Sequence, residues 1–158
     1  LPIEVFESKY PVSIFNYGFR QNSGGLGKFR GGVGLYREYT INTDGFVSLW
    51  FERSVTPAWG LFGGKDGLPP NVNIKIPNEE EKNLLKTNGL QIKNGTVLTT
   101  YTGGGGGFEE PLERDPENLL DDVKNRYVTI EKAKEDYKIS ITSDLKIDQD
   151  STDKLRKN

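Results

Sequence analysis

The sequence predicts an α+β, β-rich fold with one or two antiparallel sheets and a C-terminal helical hairpin. Three observations in the 158 residues predict it. Before about residue 102, short runs of alternating apolar and polar residues are separated by turn residues, as in antiparallel strands. After Gly107, apolar residues recur at helical spacing behind capping residues. All 19 glycines lie at or before Gly107, so the composition changes at the same point.

Two runs near the N-terminus are predicted to be extended, and a glycine-rich segment follows them. Residues 3–6 and 12–20 are rich in strand-forming residues, and VSIFNYGFR in the second run alternates. Residues 24–34 contain six glycines in eleven positions, which is too glycine-dense for a helix or a regular strand interior. This segment is therefore predicted to be irregular.

A β-hairpin is predicted next. LYREYTI at 35–41 alternates, Asn42 to Gly45 supply turn residues, and FVSLWFER at 46–53 forms the returning strand. A long loop with Trp59 follows, and then VNIKI at 72–76 predicts a short strand.

The next segment mixes an ambiguous stretch with a clear turn. Residues 78–92 fit either one helical turn or a connector. Asn94-Gly95 predicts a tight turn before the strand TVLTTY at 96–101. The same Asn-Gly-Thr also matches a glycosylation site, but without a secretory context we interpret it as the turn.

Two capped helices end the predicted domain. Asp115 caps the first, with Pro116 at its first position, and Thr129 caps the second. The buried stripe is predicted to contain Leu119, Leu120, Val123, Tyr127, Ala133 and Tyr137. We therefore expect one domain over 1–142, the C-terminal segment of a larger subunit, and a charged, disordered tail over 143–158.

Composition excludes several classes of function. A net charge of −2 and a pI of 5.3 argue against nucleic acid or anionic membrane as partner. Without cysteine or histidine, the chain cannot complete the usual zinc, copper or iron sites or a Ser-His or Cys-His nucleophile. We expect a cytoplasmic setting, no catalytic residue and no metal ligand in this chain. The absence of methionine suggests a piece of something longer, inactive alone.

The glycine run Gly103 to Gly107 leaves two interpretations open. It is either a flexible spacer or a loop whose backbone approaches something that no side chain would allow. No glycine segment has the Lys-Ser or Lys-Thr pair of a P-loop or the spacing of a dinucleotide fingerprint. The chain is therefore not predicted to bind a nucleotide by itself.

Charged residues beside the glycines are candidates for a pocket. Arg30 and Arg53 could bind a carboxylate or carbonyl, or could form ion pairs that anchor a loop. Glu109, Glu110 and Glu113 could serve in acid–base chemistry, but an acidic face leading into a helix explains them better. We favour the structural interpretation for both groups.

Three blocks carry a family resemblance: NSGGLGKFRGGVGLYREY, SLWFERSVTPAWGLFGGKDG and NGTVLTTYTGGGGGFEEPLERDP. In this order they resemble the C-terminal region of the hydantoinase B/oxoprolinase family, over residues 1 to about 137. The family contains B-type subunits of ATP-dependent N-methylhydantoinases and 5-oxoprolinases, with acetone and acetophenone carboxylase subunits as relatives. The sequence departs from the family pattern at Phe108 to Pro111, at Tyr127 and at Lys138, where glycines or a Gly-Tyr-Gly-Asp-Pro run are usual.

The resemblance implies a part in ATP-dependent hydrolysis of a cyclic amide of the hydantoin or 5-oxoproline type. It implies an A-type ATP-binding subunit and the upstream part of the B-type subunit as partners, with ATP and a divalent metal ion bound there rather than in this chain. The alternatives are a non-catalytic assembly module or part of an ATP-dependent carboxylase subunit. The residues expected to line a pocket are Gly104, Gly105, Gly106, Arg30 and Arg53. In the hydrolase interpretation, the N–H groups of the glycine run are available to a developing oxyanion. In the assembly-module alternative, the glycines only permit tight packing.

Overall fold

The computed structural model describes residues 2–157. They form a five-stranded antiparallel sheet, a two-stranded antiparallel sheet and four α-helices, which confirms the predicted α+β class. The chain divides into two compact units, each built from three segments. The first unit contains Leu1–Gly18, Leu35–Val55 and Pro70–Thr102, and the second contains Phe19–Gly34, Thr56–Pro69 and Gly103–Asn158.

The first unit holds helix α1 and most of the strand residues. The elements are α1 (Ile3–Lys9), β1 (Val12–Arg20), β2 (Gly34–Ile41), β3 (Gly45–Trp50), β4 (Asn71–Lys75), β5 (Lys82–Asn83), β6 (Lys86–Ile92) and β7 (Thr96–Tyr101). The larger sheet has the order β1-β2-β7-β4-β5, and the smaller pairs β3 with β6. The core of the first unit consists of buried Leu49, Val72, Ile74, Ile76 and Ile92.

The predicted hairpin between β2 and β3 is wrong, although both strands exist. β2 pairs with β7, from Tyr36 opposite Tyr101 to Ile41 opposite Thr96, and β3 pairs with β6. Gly45 does not adopt the left-handed conformation that a tight two-residue turn uses. Gly95 does, with a φ of 84°, so the Asn94-Gly95 turn forms as predicted.

Two further segments differ from expectation. Residues 3–6 were predicted to be extended but lie in α1, where Glu4 in the first turn and Lys9 in the last complement the helix dipole. Residues 78–92 form neither the helical turn nor the plain connector, because β5 and β6 occupy most of them.

The second unit carries the predicted helical hairpin. A 3-10 turn at Pro111–Glu113 precedes α2 (Pro116–Lys124) and α3 (Ile130–Tyr137). Both caps form as predicted: Asp115 accepts from two backbone N–H groups of α2, and Thr129 accepts from Lys132. The core contains Leu119, Leu120, Val123, Val128, Ala133, Tyr137, Ile139 and Ile141.

The segment expected to be a disordered tail contains a helix, α4 (Gln149–Lys157). Asp148 accepts hydrogen bonds from the Ser151 N–H and hydroxyl, which stabilises the start of this helix. Thr152 is buried and accepts from the Ser140 N–H, so the helix is attached to the rest of the unit. Ile147, just before the helix, also packs against the core and pairs with Ile141, so the attachment combines polar bonds with one apolar contact.

Over residues 2–157, no helix is long and apolar enough to cross a membrane.

Candidate functional site

Three glycine-rich segments of the second unit interlock through their backbones. We call residues 23–32, 59–68 and 103–109 the glycine web. Gly25 donates to the Gly105 carbonyl over 2.8 Å, and Leu61 donates to the Gly107 carbonyl over 2.9 Å. Phe29 and Phe108 exchange two backbone hydrogen bonds. The run of five glycines therefore lies between the other two segments and is bonded to both.

The glycines are required because other backbone atoms occupy the places where side chains would begin. A Cβ on Gly104 would lie 1.8 Å from the Ser23 carbonyl oxygen, and one on Gly106 would lie 1.9 Å from that of Trp59. A Cβ on Gly107 would lie 1.9 Å from the Leu26 oxygen. Gly105 is less crowded, with 3.1 Å to its nearest atom, the Gly32 nitrogen. The backbone of the run therefore approaches other backbone atoms closely, and those atoms belong to the same chain.

Most of the donors in the run are used within the web. The N–H groups of Gly104, Gly105 and Gly107 donate to the carbonyls of Leu68, Gly32 and Lys65, at 3.0, 2.8 and 2.9 Å. An N–H group that already donates to a carbonyl does not stabilise an oxyanion without breaking that bond. This geometry favours the packing interpretation of the glycines at these three positions.

A buried ionic cluster anchors the web to the helices. Arg30 donates to Asp122 from two nitrogens, Nε to Oδ2 at 3.1 Å and Nη2 to Oδ1 at 3.0 Å. Arg114 donates to the same carboxylate and also to the Lys28 carbonyl at 2.8 Å. The Asp122 side chain is only 9% exposed and pairs with two guanidinium groups, so the three side chains together carry one net positive charge. We call Arg30, Arg114 and Asp122 the ionic cluster.

Tyr137 lies beside the ionic cluster with its hydroxyl buried; the Gly27 backbone faces this hydroxyl, but no hydrogen bond of normal geometry forms to it among the described residues. Burial raises the pKa of Tyr137 to about 12, because the charged phenolate loses its hydration there. Arg114 and Arg30 act in the opposite direction and only partly offset burial. The side chain is therefore neutral at physiological pH.

A cavity of about 270 Å³ opens on the surface of the second unit beside the web. Its lining is Asn22, Gly24, Leu26, Arg30, Lys65, Asp66, Leu68, Tyr127, Val128, Lys132 and Asp136. The Arg30 guanidinium lies 5.2 Å from the centre of the Tyr127 ring, so the ionic cluster and this wall of the cavity share one side chain. The cavity combines apolar walls with a charged rim, which suits a small organic ligand or an inserted side chain.

The predicted site residues separate into three groups. Arg30 lines the cavity and is paired with Asp122, so it has the anchoring role that the sequence favoured. Gly104 to Gly106 lie in the web, whose residues Gly24, Leu26, Lys65 and Leu68 form part of the cavity wall. Arg53 belongs to the other unit, where it adopts a φ of 57°.

Two of the three acidic candidates, Glu109 and Glu113, have a structural partner. Lys28 pairs with Glu109 at 2.9 Å and with Glu113 at 3.4 Å. The Glu109 hydrogen bond and charge, reinforced by Glu113, raise the pKa of Lys28. These contacts favour the interpretation that Glu109 and Glu113 serve structure rather than acid–base chemistry.

The ionic cluster contains two residues that the sequence analysis missed, Asp122 and Arg114. Asp122 could have been recognised from the sequence, because it lies between Leu119 and Val123 on the stripe of α2 that faces the core. A carboxylate on an apolar face is costly unless it is paired, so its position predicts a buried cation nearby.

With this geometry in place, comparison with known proteins identifies the family. The sequence model described as hydantoinase B/oxoprolinase matches residues 1–111, which is most of the chain. The chain belongs to the hydantoinase B/oxoprolinase family. The resemblance inferred from the three glycine-bearing blocks is therefore confirmed.

Individual relatives in the hydantoinase B/oxoprolinase family are much longer than this chain. An uncharacterized protein of Methanocaldococcus jannaschii is 36% identical over 158 residues, covering 98% of this chain and 28% of its own length. The caprolactamase subunit beta of Pseudomonas jessenii is 32% identical over 155 residues, covering 95% of this chain and 27% of its own. The 5-oxoprolinase 1 of Arabidopsis thaliana is 40% identical over 106 residues, covering 66% of this chain and 8% of its own. The chain thus spans little more than a quarter of the first two relatives.

Two solved structures share the fold. The crystal structure of the ATP-dependent caprolactamase from Pseudomonas jessenii superposes with a TM-score of 0.79 at 27% identity, over 99% of this chain and 28% of that one. A nucleotide-free acetone carboxylase gives a TM-score of 0.78 at 21% identity, over 99% of this chain and 26% of that one. At 21% identity, the acetone carboxylase shows only that the fold is shared.

Proposed function

We propose that this chain is the C-terminal segment of a B-type subunit that takes part in ATP-dependent hydrolysis of a cyclic amide of the hydantoin or 5-oxoproline type. The observation that carries the proposal is membership of the hydantoinase B/oxoprolinase family over residues 1–111. The names of two relatives, a caprolactamase and a 5-oxoprolinase, both refer to cyclic amides. The segment is inactive by itself in this proposal.

The proposal places ATP and the divalent metal ion in other parts of the complex. Across residues 2–157, no three side chains of the types His, Cys, Asp or Glu are grouped to hold a metal ion. The web also leaves little room for a nucleotide, because its backbones pack against one another. Since the described residues fit neither the metal ion nor the nucleotide, the proposal assigns no reaction step on ATP or metal to this segment.

The role that the geometry supports for this segment is to support a wall of the cavity. The glycine web fixes Gly24, Leu26 and Leu68, and the ionic cluster fixes Arg30, all of which line the cavity. A wall held by backbone hydrogen bonds and a two-point ion pair is rigid, and rigidity is what a binding surface needs for precise positioning. In this proposal Arg30 and the glycines shape the cavity and perform no chemistry.

The partners in this proposal are the upstream part of a B-type subunit and an A-type ATP-binding subunit, in the cytoplasm. One relative is named as a subunit beta, which supports an assembly of more than one kind of chain. The share of each relative that this chain covers, 27 to 28%, supports a larger functional unit.

The test is an assay of the reconstituted complex on hydantoin, 5-oxoproline and acetone, each with and without ATP. We expect ATP-dependent ring opening of one of the two cyclic amides. A complex that opens neither ring contradicts the proposal, and ATP- and bicarbonate-dependent consumption of acetone would identify a carboxylase instead. A complex that lacks this segment serves as the control for its contribution.

A further inference from the structure

A second cluster of polar groups, in the first unit, lies outside the site described so far. Arg37 on β2 extends over the sheet face, with its guanidinium carbon 4.3 Å from the centre of the Tyr17 ring. The same group lies 5.9 Å from the centre of the Tyr39 ring and donates from Nη1 to the Tyr39 hydroxyl at 3.2 Å. Two tyrosines on neighbouring strands therefore hold the guanidinium in place.

The charge of Arg37 has no counterpart within the described residues. No carboxylate of residues 2–157 lies within 4.0 Å of its guanidinium, whereas Arg30 and Arg114 share Asp122. Nε is buried and has no acceptor, and the acceptors near the guanidinium among the described residues are two neutral hydroxyls, Tyr39 at 3.2 Å and Tyr17. A guanidinium has five N–H donors, so most of the hydrogen-bonding capacity of Arg37 is unused.

A cleft of about 150 Å³ adjoins this guanidinium. Its lining is Tyr17, Leu35, Tyr36, Arg37, Tyr39, Thr100 and Thr102, which includes five hydroxyl-bearing residues and no acidic one. The volume holds about five waters at ~30 Å³ each, or a small organic group of a few heavy atoms. These residues belong to the strands β1, β2 and β7, which are neighbours in one sheet, except Thr102, which directly follows β7.

We propose that this cleft, which we call the Arg37 cleft, is a binding site for a carboxylate. A carboxylate is planar and carries one charge, which matches the fork and the single charge of Arg37. The Tyr39 hydroxyl already accepts from Arg37, so its own proton is free to donate to a second acceptor in the cleft. A phosphate dianion would need more positive charge than one guanidinium supplies.

The carboxylate has two possible sources with the same chemistry. It is either a free organic acid or the side chain of an Asp or Glu on a partner subunit. The proposal uses only residues of the first unit and stands whichever reaction the complex catalyses.

The probe is acetate, titrated into the full chain at constant ionic strength with chloride as the reference anion. The measured quantity is the chemical shift of the Arg37 Nε–H resonance in ¹⁵N NMR. We expect a saturable shift with acetate and none with chloride. Arg37→Lys keeps the charge but removes the fork, and should weaken acetate binding, followed on backbone amides of β2, about tenfold or more. Arg126→Lys at an exposed position is the matched control and should leave binding unchanged.

The same titration on the reconstituted complex separates the two sources. If acetate still shifts Arg37 there, the ligand is a free acid; if the complex shifts Arg37 by itself and blocks acetate, a partner carboxylate occupies the cleft. The proposal is overturned if acetate moves Arg37 no more than chloride does and complex formation leaves its resonance unchanged. Tyr39→Phe is a second variant, which keeps the ring and removes only the hydroxyl. It should weaken acetate binding by a few fold.

Discussion

Arg30 and Asp122 lie 92 positions apart in the sequence and meet in a two-point ion pair with separations of 3.0 and 3.1 Å. One partner comes from the glycine web and the other from the buried face of α2. The carboxylate is shared with Arg114, so a single acidic side chain connects the web, the 3-10 turn region and the helices. The stability of this arrangement depends on Asp122 more than on either arginine.

We therefore predict that Asp122→Asn destabilises the chain by about 3–5 kcal/mol, because it leaves two buried guanidinium groups without a counter-charge. The free energy of unfolding from urea denaturation measures this loss. The control is Asp121→Asn on the same helix, where the carboxylate is 70% exposed and lies 3.8 Å from Lys124. That change should cost less than about 1 kcal/mol. Equal effects of the two variants would contradict the role given to Asp122.

A second prediction concerns the run of five glycines. Gly104→Ala and Gly106→Ala should each destabilise the chain by about 3 kcal/mol or more, since the new Cβ meets a carbonyl oxygen at 1.8 or 1.9 Å. Gly105→Ala should cost much less, because its nearest neighbour is 3.1 Å away. Gly32→Ala, with open space around it, is the control and should be neutral or slightly stabilising. Thermal denaturation gives the order, and a uniform response across the three web positions would argue for a flexible spacer.

A third prediction concerns Lys138, which follows α3 in the left-handed conformation with a φ of 56° and a ψ of 36°. Glycine adopts this conformation without a steric penalty, and glycine is the residue usual there by family resemblance. Lys138→Gly should therefore stabilise the chain by roughly 1 kcal/mol. Lys134→Gly, inside the same helix, should instead destabilise it by about 1 kcal/mol. Opposite signs in chemical denaturation are required for this explanation to stand.

The fourth prediction is a pH dependence that originates from Tyr137. Its pKa is raised from 10.0 to about 12 in the folded chain, so between these values the folded chain holds a proton that the unfolded chain has lost. The stabilising contribution is complete below pH 10 and is lost as the pH rises through 12, about 3 kcal/mol in total. Tyr137→Phe should remove this part of the alkaline destabilisation.

At pH 7 the same variant should be at least as stable as the parent, because the hydroxyl that it removes is buried and makes no hydrogen bond of normal geometry. Tyr10→Phe, at an exposed tyrosine, is the control and should leave the pH profile unchanged. If Tyr137→Phe loses stability with pH as steeply as the parent, the alkaline transition has another origin.

The helical hairpin could be predicted because its signals are local. Asp115 and Thr129 cap their own helices, and the apolar stripe needs only a spacing of three and four residues. Strand positions were also readable from alternation. Strand partners were not, because β2 and β7 are paired across more than fifty residues and nothing in the alternation of either strand specifies the other.

The candidate site divides in the same way. Arg30 could be recognised in the sequence because it lies among glycines. Its partner Asp122 can be recognised only when the residues of α2 are placed on a helix, where the acid falls on the apolar face. From the sequence, the N–H groups of Gly104 to Gly107 could serve an oxyanion or the glycines could only permit tight packing. The contacts favour packing, because carbonyl oxygens occupy the Cβ positions at Gly104, Gly106 and Gly107 and the N–H groups of Gly104, Gly105 and Gly107 already donate within the web.

The glycine web also constrains the route by which the chain folds. Its three segments are separated by roughly thirty to forty residues, and each hydrogen bond between them closes a long loop before any compensating contact is made. Because glycine has no side chain to form an early apolar cluster, the segments are expected to meet only after the helices of the second unit have formed. The web is therefore expected to form late in folding and to lie outside the folding nucleus.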